Sequence, residues 1–183
     1  MNYRFNHGKS SIGGKFMNVQ IMVTINGSNK VDLVKVLSEK THALDGKWLN
    51  SKISHIDDYF AGLIKIEISP EHVEELINEF KALGINVEAA ELDLVSQQHT
   101  THLNLNIDAK DRPGLVSEIS QVLSENSIKI ENMECHRLGA ADIGAVFTSQ
   151  FKIAVSDNFN KEQLINSLQE IASDLFIDLR DQS

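Results

Sequence analysis

Cysteine occurs once in this chain of 183 residues, and proline only twice. A lone Cys135 excludes an internal disulfide and accords with a reducing compartment, so a cytoplasmic location is expected. Basic residues are also scarce, 17 against 26 acidic ones, for a formal net charge of -9. Without an electrostatic attraction to phosphate backbones, direct binding to DNA or RNA is disfavoured. No apolar run approaches the roughly 18 residues of a membrane helix. What remains, with 42% hydrophobic residues, is enough to bury a sizeable core in one large or two small domains.

The first sixteen residues stand apart. Met1 to Phe16 holds Gly8, Gly13, Gly14, Ser10 and Ser11 but no sustained apolar period, so a disordered tail or expression remnant is expected, with a start at Met17. Gly8-Lys9-Ser10 resembles the end of a phosphate-binding loop. That loop needs a glycine where Tyr3 stands and a strand before it, so the match fails.

From Val19 onwards the patterning is regular. Val19 to Asn26 alternates as a strand, and Leu33, Val34, Leu37 and Thr41 share a helix face. Lys47 to Ile56 and Tyr59 to Ile68 read as strands joined at Asp57-Asp58. Ser69 as N-cap, Pro70 in the first turn and Gly84 as stop bracket a helix whose buried stripe is Val73, Leu76, Ile77 and Phe80. Val87 to Leu94 completes a β-α-β-β-α-β unit.

The second half repeats this order. His102 to Asp108 is a strand, and Leu115, Ile119, Val122 and Leu123 line a helix. Ile128 to Leu138 and Val146 to Val155 are strands joined by a longer hairpin from Gly139 to Ala145. Asn160 caps a helix with Leu164, Leu168 and Ile171 inward and Gln163 at the capping-box position. Leu175 to Leu179 is the last strand. An offset of 82 positions aligns the halves and points to internal duplication. The class is α+β, with two tandem ferredoxin-like βαββαβ domains, each a four-stranded antiparallel sheet with both helices on one face. The expected domains are 17–95 and 99–183.

Between strand and helix of the second unit stands Asp111-Arg112-Pro113-Gly114-Leu115. Proline presets φ at a helix start, glycine allows close approach, and the helix N-terminus offers N–H groups to an anion. Tandem βαββαβ units with this turn resemble ACT domains, the amino-acid-sensing modules of metabolic regulation. Two such units without an attached enzyme, together with Phe60-Ala61-Gly62, are similar to the glycine cleavage system transcriptional repressor group. In the first unit Val31-Asp32 replace the proline and glycine, so its loop is degenerate.

The resemblance implies binding and no catalysis. Asp111, Arg112, Pro113, Gly114 and Leu115 would hold a small amino acid, with Asp111 on the ammonium and the N–H groups of Gly114 and Leu115 on the carboxylate. Glu131, Asn132 and Met133 on the facing strand are second candidates. Asn26, Gly27, Ser28, Asn29 and Lys30 form the corresponding loop of the first unit. The implied function is repression of glycine cleavage through a transcription activator, with glycine or a similar amino acid as effector. The alternative is a stand-alone ACT protein acting on a metabolic enzyme. No cofactor or metal is expected, and a homodimer is compatible with the pattern.

Other features have plainer readings. Cys135 and His136 are adjacent on a strand and face opposite ways, with His99 and His102 in another segment, which argues against a metal site. Trp48 is assigned to the core or a domain interface. Glu71, Glu74, Glu75 and Glu79 form a solvated helix face. An acylphosphatase-like enzyme could cast Arg112 and Asn132 as its arginine and asparagine, but Asp111 would repel phosphate. An RNA-binding module of this topology needs exposed aromatics, and Ile128 to Leu138 has none.

Overall fold

Alternation of apolar residues along the strands, and their recurrence every three to four positions between them, sets the architecture. A computed structural model describes residues 17–28, 32–92, 101–140, 144–172 and 174–181. Residues 1–16 and His99 lie outside the described residues. The first unit runs β1 (Val19–Ser28), α1 (Leu33–Ala43), β2 (Lys47–Ile56), β3 (Tyr59–Ile68), a 3-10 turn (Pro70–His72) leading into α2 (Val73–Lys81), and β4 (Asn86–Glu91). The second runs β5 (Thr101–Lys110), α3 (Leu115–Glu125), β6 (Lys129–Ala140), β7 (Gly144–Val155), α4 (Lys161–Ile171) and β8 (Phe176–Asp181). The chain divides between residues 95 and 96 into two compact units.

Each unit is a four-stranded sheet, ordered β2-β3-β1-β4 and β6-β7-β5-β8, and the strand pairs are antiparallel. This is the expected α+β, ferredoxin-like arrangement. β5, α3 and β6 begin 82 positions after β1, α1 and β2, the offset at which the two halves of the sequence align.

Each unit also has its own core. In the first, Ile21, Val23 and Ile25 of β1 and Ile64, Ile66 and Ile68 of β3 pack with Leu33, Leu37, Leu76 and Phe80. In the second, Leu103, Leu105 and Ile107 of β5 and Phe147, Phe151 and Ile153 of β7 pack with Leu115, Ile119, Leu123, Leu164 and Leu168. Each fully buried aliphatic side chain contributes roughly 1.5 to 3 kcal/mol. Trp48 is partly buried and packs against the first core, where its indole Nε1 donates to Thr41 Oγ1 at 3.0 Å.

Several local expectations shift. Val34 is 47% exposed, because Leu33, Leu37 and Thr41 at four-residue spacing already fill the inward line of α1. Ser69 precedes the 3-10 turn but makes no side-chain cap, since its hydroxyl donates to Glu71 Oε1 at 3.4 Å instead. Asn160 does cap α4, its Oδ1 accepting from the Gln163 N–H at 3.1 Å. The β6–β7 ladder continues to Ala140 and Gly144, so the hairpin is tighter than Gly139 to Ala145. β4 starts one residue early and is described to Glu91, while Leu94 lies outside the described residues.

Candidate functional site

β5 ends at Lys110 and α3 begins at Leu115, so the four residues between them must reverse the chain over the top of the sheet. Gly114 makes this possible. It is the N-cap of α3 with φ 88° and ψ -11°, a left-handed conformation that only glycine adopts without a side-chain penalty. Having no side chain, it leaves the N–H groups of the first helical turn without a side-chain cap.

Four contacts hold the turn. The Asp111 N–H donates to Ala145 O at 2.9 Å, tying the turn to β7. The Asp111 carboxylate accepts from Arg137 Nε of β6 at 3.1 Å through Oδ1. The Arg112 guanidinium forks onto Glu118, Nη1 to Oε1 at 2.9 Å and Nη2 to Oε2 at 2.5 Å. Its Nη2 also lies 3.5 Å from the carbonyl of Ile171, the last residue of α4. The two hydrogen bonds from Arg112 hold the Glu118 carboxyl below its ordinary value; partial desolvation opposes this, and the guanidinium charge adds to it. Arg112 is raised in turn, chiefly by the same hydrogen bonds, against desolvation and with help from the charges of Glu118 and Asp174.

The second candidates, Glu131, Asn132 and Met133, do not join this cluster. Met133 pairs with Phe151, which pairs with Leu105; Asn132 pairs with Lys152, which pairs with Asn104. Lys110 stands five residues beyond Leu105, roughly 17 Å along the strand at about 3.3 Å per residue. At that far end Glu131 Oε2 meets His102 Nδ1 at 2.9 Å, and Asn132 Nδ2 donates to Glu134 Oε1 at 3.2 Å. A cavity of about 310 Å³ also lies there, lined by Leu103, Val155, Phe159 and Lys161 among others.

Residues 96–173 match the ACT domain family. The second unit is an ACT domain. In fold the chain is similar to a crystal structure of an unknown protein from Galdieria sulphuraria, with TM-score 0.80, 17% identity, and coverage of 91% of this chain and 99% of that one. It is also similar to that of a "putative glycine cleavage system transcriptional repressor", with TM-score 0.68, 13% identity, and coverage of 90% and 99%. At such identities the likeness is one of fold. No curated protein matches the chain in sequence. The architecture is that of a tandem ACT-fold protein.

Compared with this second unit, the first shares a left-handed helix start but differs in the residues around it. Asp32, at the place of Gly114, is the N-cap of α1 and also left-handed, with φ 61°. The position equivalent to Glu118 is Val36, which cannot pair with a cation. Of the loop residues, Asn26 Oδ1 accepts from Asn86 Nδ2 at 2.9 Å, Gly27 lies where a Cβ would touch the Phe60 ring at 3.4 Å, and Ser28 is exposed. Asn29 and Lys30 lie outside the described residues.

Glu118 and Arg137 are the site residues that sequence reasoning did not single out. Glu118 carried a faint signal as an acid in the first helical turn; Arg137 becomes visible only when β7 brings Leu138 and Lys110 into register through Val146. Cys135 packs against the core and its thiol is raised by burial, with the Arg137 charge pulling the other way. Its neighbour His136 is exposed. Among the described residues no group of three or more His, Cys, Asp or Glu could hold a metal ion.

Proposed function

We propose that the chain is a non-enzymatic regulator whose ACT domain receives a small amino acid at Asp111 to Leu115. The observation that carries this is the left-handed Gly114 at the uncapped start of α3, in a domain of an amino-acid-responsive family. A ligand carboxylate would take the N–H groups of Gly114 and Leu115, aided by the helix dipole. The ligand ammonium would share the Asp111 carboxylate, whose Oδ2 is not used by the bond to Arg137. Glycine is the leading candidate ligand. Binding would favour one conformational state by its differential affinity, and so change the surface offered to a partner protein.

The partner proposed is a transcription activator, with a metabolic enzyme as the alternative; a structure of the same fold is that of a "putative glycine cleavage system transcriptional repressor". An acylphosphatase-like reaction draws no support from the geometry. Arg112 is committed to Glu118, and Asn132 registers with Asn104, six residues or roughly 20 Å short of Lys110. Calorimetric titration with the twenty amino acids tests the reading. Millimolar or tighter binding of one small amino acid, weakened by Asp111→Ala, is expected; no heat from any of them would sink it. Capture of an activator protein that added glycine reverses would extend the result to the partner.

A further inference from the structure

Arg112 is the most conspicuous side chain of the turn, and its geometry turns it away from the role its charge suggests. Both terminal nitrogens are engaged within the domain, on the carboxylate of Glu118 and near the carbonyl of Ile171. Glu118 lies in the first turn of α3, four residues after Gly114, and Ile171 ends α4. The fork therefore spans the turn, the start of one helix and the end of the other. A helix end leaves its last carbonyls without intrahelical partners and carries partial negative charge, so a guanidinium there is favourably placed.

We propose that Arg112 is a positioning residue for the amino-acid site: it does not touch the ligand but clasps α3 to α4, and thereby holds Gly114 and Leu115 with their N–H groups in the binding geometry. The role rests on the function proposed above. It assigns recognition to the backbone and Asp111, and makes Glu118, which holds the guanidinium and is given no ligand contact, as important as Arg112. The fork is specific to arginine, whose planar guanidinium can take both carboxylate oxygens at once where a lysine ammonium offers a single point. The first unit cannot form the clasp, because Val36 stands where Glu118 would be needed. Ligand binding at the turn and the packing of α4 are thus linked through one pair of side chains, which gives the domain a short route from ligand to helix surface.

A double-mutant cycle on the full chain separates positioning from contact. Arg112→Gln, Glu118→Gln and the double variant are titrated by calorimetry with the amino acid that binds the wild type, and circular dichroism checks that each is folded. Each single variant is expected to raise Kd about fivefold, the scale of a half-exposed ion pair, and the double variant no further than either. Arg112→Lys should recover only part of the affinity, since it keeps the charge and loses the fork. A ligand contact by Arg112 would instead show as weak binding in Arg112→Gln with Glu118→Gln unchanged, and that result overturns the proposal. So does wild-type affinity in both variants, which leaves the site standing and removes this role alone. A wild-type chain that binds none of the twenty amino acids removes the site and the role together.

Discussion

Gly114 and Asp32 hold the same place in the two units and both adopt left-handed backbone, φ 88° and 61°, yet only the glycine does so without a side-chain cost. A Cβ added at Gly114 would meet nothing closer than Glu118 Oε1 at 3.5 Å, an ordinary contact. The penalty of Gly114→Ala is then conformational, about 1 kcal/mol or slightly more. Asp32→Gly should have the opposite sign, a gain of up to about 1 kcal/mol, reduced by the freedom a glycine brings to the unfolded chain. Urea unfolding of both variants checks this; loss of stability in each would show that Asp32 makes a compensating contact. Gly62 presents the other reason for a glycine. It faces the core, where a Cβ would sit 2.8 Å from Ile53 Cγ1 and 3.2 Å from Ile25 Cγ1 and Lys52 O. Phe60-Ala61-Gly62 drew attention through resemblance, and the structure supplies a steric cause.

At the scale of elements, the two clearest helix starts behave differently. Asn160 accepts the Gln163 N–H, whereas Ser69 is drawn to Glu71. Asn160→Ala should therefore cost about 1 kcal/mol, the ordinary value of a cap, and Ser69→Ala markedly less; equal losses in thermal unfolding would contradict the assignment. The helix α3 start has an electrostatic tie in place of a cap. Because Arg112 holds the Glu118 carboxyl below its ordinary 4.5, the tie contributes fully above that pH and is lost as pH falls through the lower folded value. Comparing wild type with Glu118→Gln by urea unfolding from pH 7 to pH 3 should show a gap that closes on acidification; a gap that widens in acid would reverse the sign. The elements themselves were legible because period-two and period-3.6 patterns report burial directly, as in Val19 to Ile25 or Val73 to Phe80. Their limits were less so. Val34 fits the helical stripe by count but lies on its flank, and the β6–β7 ladder runs on through Gly139 because backbone pairing does not require apolar side chains. The turn was readable as a turn, but its partners were not. Arg137 reaches Asp111 through strand register, and Glu131 to Met133 share a strand with Arg137 while standing at its other end.

The whole molecule repeats one βαββαβ unit, and Asp111-Arg112-Pro113-Gly114-Leu115 occurs in the second. Both copies bury a core of their own, and both reproduce the left-handed helix start, which is therefore a property of the fold. What differs is the set of residues around it: proline, glycine, the Arg112–Glu118 fork and the Asp111–Arg137 pair in the second unit, with Val31, Asp32 and Val36 at the positions of Pro113, Gly114 and Glu118 in the sequence of the first. A turn needed only for folding would have kept its stabilising residues in neither copy or in both. On the function proposed above, the second unit would carry the site and the first would contribute structure or partner contacts. The stoichiometry of binding follows directly. Titration of the full chain should give one amino acid per chain, lost in a Gly114→Asp variant and unchanged in Asp32→Gly. Two equivalents per chain, or binding that survives at one equivalent when the second unit's turn is altered, would move the site to the first unit and reverse the division of labour.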